Sequence, residues 1–412
     1  MKMLKRTMNL VATCCSTLLV ISISSMYAQT NQQGDVVVLI EQIRNVMPGQ
    51  NSNGFVVPTT AEKNYFGDLI TKIMTNQFDS ISTKADLYGY SFIRWYNIPT
   101  AETLYILKEN NPIIRGWGTY ISNPQGTLNC TIEAPHPIWD TKSWRLAILD
   151  FLKLKAQWFI MAGTHRYANS DNSSDVAHAT QTIFHKTHQT IVTDMAIQIH
   201  GFSKSDGDHP GYPDVVISSG ILYPQSLLFT IKSSYESEGM TAGVYSISTQ
   251  SSLSDLAATT NKQGQWSYSN GKLFIHIEHD TPIRTDSTKT TKAVQALYQA
   301  LVEPTVIQDN EATTPSSIYL SQNFPNPFNP STSITFHVPA VKTSHHSGNA
   351  HVMVKVYDAS GKEVTTVINE QMSAGTYTRS WDAGREQLSS GMYFLSLIVE
   401  EQQQVRKILF IQ

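Results

Sequence analysis

The sequence predicts an α/β fold with a mixed sheet flanked by helices, followed by a small all-β Ig-like sandwich. Three observations lead there. Short β-type runs alternate with stretches of helical period between about residues 34 and 301. A polar run with two prolines, residues 303–317 (EPTVIQDNEATTPSS), interrupts that pattern. After it, short strands follow one another with turn signals between them. A chain of 412 residues has room for two or three domains. The expected division is 1–28, an N-terminal leader; 29–302, the α/β domain; 303–317, a linker; and 318–412, the sandwich.

The leader is read from its order of residue types. Lys2, Lys5 and Arg6 precede an apolar stretch from residue 8 to about 23, and small residues lead to Ala28. Positive, apolar, then small is the order of a cleavable signal peptide. Cleavage after Ala28 would remove three positive and no negative charges, taking the formal charge from −3 to −3 − 3 = −6. Such a chain has no basic field to attract nucleic acid. No later stretch is apolar enough to span a bilayer, so no stable transmembrane span is expected after cleavage. Cys14 and Cys15 fall in the leader, so Cys130 would be left without an internal disulfide partner, and a Cys-rich zinc finger is excluded.

Within the α/β region, residues 67–74 and 143–156 carry apolar side chains at helical spacing, and a last helix is expected over 292–301. Strands are expected at 89–96, 130–134, 158–162, 195–199, 215–217 and 272–277. A helix is expected over 174–195, and the Ser/Thr/Asn/Gln-rich stretch 250–270 reads as surface loop. In open α/β sheets ligands bind beyond the carboxyl ends of strands, so the residues just after each strand matter most. There stand His136 and Asp140 (EAPHPIWD), His165 and Arg166 (GTHR), His200 (IHG), and Glu278 (HIEHD). Nine of the 13 histidines lie between His136 and His279. Two histidines and a carboxylate suit zinc with one position left open, and a further carboxylate can act as general base.

The runs EAPHPIWD, IHG and FIHIEHDTPIR resemble the zinc carboxypeptidase-like amidohydrolases, the broad group that holds metallocarboxypeptidases, N-formylglutamate amidohydrolases and poly-γ-glutamate hydrolases. The resemblance spans residues 130–284 and implies a phosphorylase/hydrolase-like sheet, a Zn2+ cofactor, and cleavage of an amide or peptide bond. It implies His136, Asp140 and His200 as metal ligands and Glu278 as the base. Arg166 would hold a substrate carboxylate or polarise the scissile carbonyl. The pattern departs from carboxypeptidases proper, whose acidic ligand is a Glu three residues after the His. Here Asp140 stands four after His136, and Glu133 stands three before it as an alternative ligand. Asp140 could instead cap the helix beginning near Ser143. His178, His185, His188, His209, His276 and His279 read as ordinary surface or hydrogen-bonded histidines. A serine nucleophile in Ser218-Ser219-Gly220 is the rival chemistry, but the strained G-x-S-x-G elbow is missing.

The final segment has prolines at a spacing that no helix interior tolerates (NFPNPFNP) and strand-like runs at 332–338, 351–357, 363–368, 375–381, 391–399 and 405–411. Its motifs LSQNFPNPFNPST, VKVYDASGKEV, GTYTRSWDA, LSSGMYF and VRKILFIQ closely resemble type IX secretion C-terminal sorting domains. The resemblance implies recognition by the type IX secretion machinery and delivery, after periplasmic export, into the medium or onto the outer cell surface. The expected protein is therefore an exported zinc-dependent hydrolase acting on a peptide or acyl-amino-acid type substrate. A noncatalytic surface-binding module on the same α/β fold is the alternative.

Overall fold

A computed structural model describes residues 30–205, 209–220, 226–246, 250–303, 318–321, 323, 326–339, 341–342, 347–386, 388–400 and 402–411. The expected signal segment and nearly all of the expected linker lie outside the described residues.

The first part begins with β1 (Thr30–Gly34), α1 (Val36–Asn45), α2 (Thr60–Met74), α3 (Ile81–Asp86), β2 (Tyr90–Asn97), β3 (Glu102–Glu109), β4 (Thr119–Ser122) and β5 (Leu128–Ala134). It continues through α4 (Ser143–Leu154), β6 (Ala156–Met161), α5 (Ile183–Ile191), β7 (Met195–Phe202), β8 (Val215–Ser218), α6 (Ser226–Ser237) and β9 (Ala242–Val244). It ends with α7 (Lys262–Ser269), β10 (Leu273–Asp280), α8 (Thr281–Thr285) and α9 (Ser287–Leu301). The ten strands form one mixed sheet in the order β1-β2-β3-β4-β6-β5-β7-β10-β8-β9. β6, β5, β7 and β10 are consecutive and mutually parallel, so their carboxyl ends share one edge.

Each face of this sheet is buried under helices. One apolar cluster joins Ile132, Ile197, Ile199, Ile275 and Ile277 of the central strands to α1, α4, α6 and α9. The opposite cluster joins Trp158, Ile160, Ala196 and Phe274 to α2, α3, α5 and α7. Strands covered on both faces lose the polar–apolar alternation of half-exposed strands, which explains runs such as WFIM and MAIQI.

Two sequence expectations are corrected here. Residues 174–195 are helical only over Ile183–Ile191. Thr182 caps that helix by accepting the His185 amide, while Asp175 accepts from the His178 ring upstream. Residues 250–270 are not an open loop. They hold a 3-10 turn, Ser251–Leu256, and α7, whose amino end is capped by Asn261 accepting from the Gly264 amide.

One buried group in α4 gives a stability prediction. Asp150 is fully buried, and neither carboxylate oxygen has a hydrogen-bond partner among the described residues. Burial alone pushes its carboxyl well above the usual range. The folded state therefore holds a proton that the unfolded chain releases near its ordinary pKa of 3.8. Stability from this group is complete below that value and falls as pH rises toward the folded pKa. Asp150→Asn should remove that fall. In thermal or urea unfolding the variant should gain on the parent by up to about 1.4 kcal/mol per pH unit across the window. Parallel pH profiles for the two proteins would contradict this.

The named strands of the second part all pair antiparallel, and one isolated parallel bridge joins Phe328 to Phe410. Those strands are β11 (Tyr319–Leu320), β12 (Ser331–Val338), β13 (Val341–Lys342), β14 (Ser347–Gly348), β15 (Ala350–Tyr357), β16 (Glu363–Met372), β17 (Gly375–Asp382), β18 (Gly391–Val399) and β19 (Gln402–Phe410). Sheets β11-β12-β17 and β16-β15-β18-β19 share one core, to which Phe336, Trp381, Val354, Leu397 and Phe410 contribute. β13 and β14 form a separate short pair.

Candidate metal centre

The site grows out of a change of polarity along one face of the central strands. On the α5/α7 side, Ala196 of β7 and Phe274 of β10 belong to the core. Two residues further on, the same face carries Gln198 and His276, and two further still, His200 and Glu278. Register sets these in rows: Gln198 lies opposite both Glu133 and His276, and His200 lies opposite Glu278. All five are buried. Such a row is costly to bury unless its members are partnered.

His136 and Asp140 reach the upper row from the loop after β5. The Asp140 amide donates to the His136 carbonyl at 3.0 Å, closing one turn that sets the two side chains together. Asp140 Oδ2 lies 3.5 Å from His136 Nδ1 and 3.2 Å from His200 Nδ1. It does not cap α4: the residue before that helix is Lys142, and no side chain caps it.

Hydrogen bonds on the far sides of the two rings identify what faces Asp140. His136 Nε2 lies 2.9 Å from Asp175 Oδ1, and a carboxylate can only accept, so Nε2 carries the hydrogen. Asp175 is itself ionised. Burial raises its carboxyl, but hydrogen bonds from His136 and His178 and the charges of His136 and Arg166 hold it well below the ordinary range. His200 Nε2 faces Gln198 Oε1 at 3.1 Å. Each ring thus turns its Nδ1 toward Asp140 Oδ2, an oxygen with no hydrogen-bond partner among the described residues. With both rings neutral, three acceptors converge on one buried point, which a proton on His136 or a cation would satisfy. Burial lowers the His136 pKa, but the Asp140 charge and the hydrogen bonds to Asp140 and Asp175 together outweigh it, and the net shift is upward. Burial and the His136 charge lower His200 to about 4 despite the pull of Asp140.

Donor chemistry and spacing fit a zinc ion held by His136, Asp140 and His200, with Asp175 and Gln198 orienting the histidines from behind. A second cluster, His200, His276 and Glu278, shares His200 with the first. Glu278 Oε1 lies 3.6 Å from His276 Nε2, while its buried Oε2 has no hydrogen-bond partner among the described residues. Burial, then the Asp140 charge, pushes Glu278 up to about 8. Burial and the charge on His200 hold His276 well below its usual value, so it stays neutral.

The structure brings His136, Asp140, His200, Glu278 and Arg166 to one cavity of about 480 Å3. Its lining also includes Trp139 and residues 258–261. Arg166 is engaged differently from the expectation of a free substrate-binding fork. Its Nε and Nη2 both donate to Asp175 Oδ2, and Nη1 lies 3.5 Å from His136 Nδ1. Arg284 also lines the cavity but gives its donors to the carbonyls of His279, Thr141 and Phe202. Glu133 sits one row deeper, accepting from His188 and Gln198 at 2.6 and 2.7 Å. Ser218 is buried with its Oγ 3.5 Å from His276 Nδ1. The sequence alone does not single out Asp175 or His276. His276 could have been found from its place two residues before Glu278 in a strand covered on both faces. Asp175 lies in an irregular loop with no periodic signal.

Comparison with known proteins bears on the second part. Residues 322–412 match the model of the secretion system C-terminal sorting domain family. This part is a type IX sorting domain, and it marks the chain as a protein exported through that machinery, secreted or attached to the outer surface. No curated protein matches the chain. Among solved structures, PorZ, a surface component of the type IX secretion system of Porphyromonas gingivalis, is 18% identical over 25% of this chain and 13% of its own, with a TM-score of 0.16. The Agrobacterium tumefaciens gene product Atu2144 is 10% identical over 42% of this chain and 86% of its own, at 0.27. The Thermotoga petrophila endo-β-1,4-mannanase is 12% identical over 55% and 48%, at 0.19. At these TM-scores none of the three defines the fold. Among the described residues no helix is long and apolar enough to cross a membrane.

Proposed function

We propose that the chain is an exported zinc-dependent hydrolase of the carboxypeptidase-like amidohydrolase kind, cleaving an amide or peptide bond in a peptide or acyl-amino-acid type substrate. Its 29–302 region would be the hydrolase-like domain, 303–317 the linker, and 318–412 an Ig-like sorting sandwich. The observation that carries this reading is the convergence of His136 Nδ1, His200 Nδ1 and the unpartnered Asp140 Oδ2 beside a cavity. Zinc bound there supplies Lewis acidity toward a carbonyl and makes water more acidic. The chain's own residues supply the rest. In its ionised form Glu278 Oε2 would accept a proton from the attacking water and return it to the leaving amine, and a bound cation would offset the burial that pushes its carboxyl up to about 8. Asp175 and Gln198 hold the two rings. Arg166, pinned on Asp175, has only Nη1 left to turn toward a substrate carbonyl or carboxylate.

Metal analysis tests the reading directly. The purified protein should hold about one zinc per chain, and His136→Ala and His200→Ala should each lose it while remaining folded by circular dichroism. Losing one protein ligand of three leaves an incomplete shell. Zinc content equal to the parent in both variants would remove these residues as ligands. Zinc without cleavage across a broad screen of dipeptides, acyl amino acids and γ-glutamyl peptides would favour a binding module.

A further inference from the structure

We infer that Gln198 is a positioning residue for the metal centre: it fixes His200 as the Nε2–H tautomer and so turns the Nδ1 lone pair toward Asp140 and His136. The inference rests on the zinc reading for its purpose, but its geometry stands on hydrogen-bond logic alone.

The orientation of an amide or an imidazole is set by its partners, and here the partners trace back to groups whose roles are fixed. The Gly264 backbone N–H can only donate, and it donates to Asn261 Oδ1 at 3.0 Å. The other end of that amide, Nδ2, therefore points to Gln198, 2.7 Å away, and the atom it meets must be Oε1. A second anchor agrees. The Val176 carbonyl can only accept, and it takes Gln263 Nε2 at 2.9 Å. Gln263 Oε1 is then left to accept from Gln198 Nε2 at 3.3 Å. A third anchor is Glu133, whose Oε2 accepts from Gln198 Nε2 at 2.7 Å while its Oε1 faces His188 Nδ1 at 2.6 Å. Reversing the Gln198 amide would set its oxygen against both the Glu133 carboxylate and Gln263 Oε1, and its nitrogen against the Asn261 donor.

With Oε1 so placed, the atom of His200 that meets it at 3.1 Å must carry a hydrogen. That atom is Nε2, so in the neutral ring Nδ1 is the acceptor, 3.2 Å from Asp140 Oδ2. Gln198, Glu133, His188 and Gln263 are fully buried, so no bulk water competes for these bonds. β7 makes the arrangement possible, because Gln198 and His200 are two residues apart and share one face of the strand. Glu133, the alternative ligand by sequence, thus acts two bonds behind the metal through Gln198.

The test uses zinc as the probe and the full-length protein after removal of its leader. Long-range 1H–15N correlation on metal-free, histidine-labelled protein at neutral pH reports the tautomer of each ring. The His200 signal, assigned by its loss in His200→Ala, should show Nε2 protonated and Nδ1 bare. Gln198→Leu should abolish this preference and weaken zinc affinity about 10–100-fold, the usual effect of losing an outer partner of a ligand histidine. The paired swap Glu133→Gln with Gln198→Glu keeps an acceptor facing His200 and Asn261, at the expense of the contact with Gln263 Oε1. It should restore both the tautomer and affinity to within about tenfold of the parent, which a merely structural role would not require. A parent His200 protonated at Nδ1 would overturn the inference, as would an unchanged tautomer and affinity in Gln198→Leu. A parent that shows the expected tautomer but takes no zinc would instead remove the metal reading and leave the tautomer assignment standing.

Discussion

Glu278→Gln should lower turnover by at least about a hundredfold while zinc content stays at the parent's level. That figure is the low end for removing a positioned acid–base group. The residue is placed for the task by its strand: it lies opposite His200 in the β7–β10 register, within one residue row of the proposed ligands. Its two oxygens are not equivalent. Oε1 faces His276 Nε2 at 3.6 Å, while Oε2 is buried without a hydrogen-bond partner among the described residues. The substitution keeps size and shape but replaces a proton-accepting oxygen with an amide that cannot take the proton. The proposed zinc shell of His136, Asp140 and His200 does not include this residue, so metal content separates a lost base from a lost site. Glu278→Asp should fall between the two, because its carboxylate survives but is withdrawn by one methylene. Rates are compared on whichever amide the parent cleaves. A glutamine variant that turned over at the parent rate would sink the base assignment even with zinc in place.

Much of this site was legible because the chemistry sits on regular structure. The apolar runs of β5, β6, β7 and β10 announce buried strands, and parallel neighbours put the residues after them at one edge. His136, His200 and Glu278 follow from that alone. The choice between Asp140 and Glu133 did not, because both stand near His136 in the sequence. The backbone turn that closes from His136 to Asp140 brings the aspartate round to the rings, while Glu133 stays inside the strand, one row down. Spacing along a chain cannot distinguish a residue in a turn from one in a strand. By sequence alone His276 reads as an ordinary hydrogen-bonded histidine. Its meaning comes from being on the same face as Glu278 and opposite Gln198. Asp175 and the buried amides of Asn261 and Gln263 come from segments without a strand period, and tertiary packing alone brings them behind the rings of His136 and His200. The α1 segment shows the same limit at the level of fold. Its β-branched run Val36–Val37–Val38 has low helix propensity, yet it is helical, with Asp35 capping its start and Ile40 and Ile43 packed in the core.

Loss of the sorting domain should produce the other large effect: a chain ending before residue 318 should no longer reach the cell surface or medium and should accumulate in the periplasm of a host with type IX secretion. Residues 322–412 carry the family match, and their fold explains why both ends of that segment matter. Phe328, from the Pro-rich NPFN turn, is buried against Trp381 and Phe410 with ring centroids 5.5 and 5.3 Å away. The Phe328 amide donates to the Leu409 carbonyl and its carbonyl accepts from the Ile411 amide, so the opening motif is fastened to the last strand. A full deletion removes this unit without touching the buried clusters of the α/β sheet. Phe328→Ala offers a milder version. Emptying a buried Phe site costs about 3–5 kcal/mol, which should loosen the shared core of the two sheets and reduce export without altering the metal centre. Fractionation of cells, with the tail-deleted chain and the Phe328→Ala chain compared against the parent, measures both effects. Delivery of the tail-deleted chain to the surface at the parent's level would show that export does not depend on this domain. Full export of the Phe328→Ala chain, together with proof that its tail had lost stability, would show that the machinery reads a linear signal and not the folded sandwich.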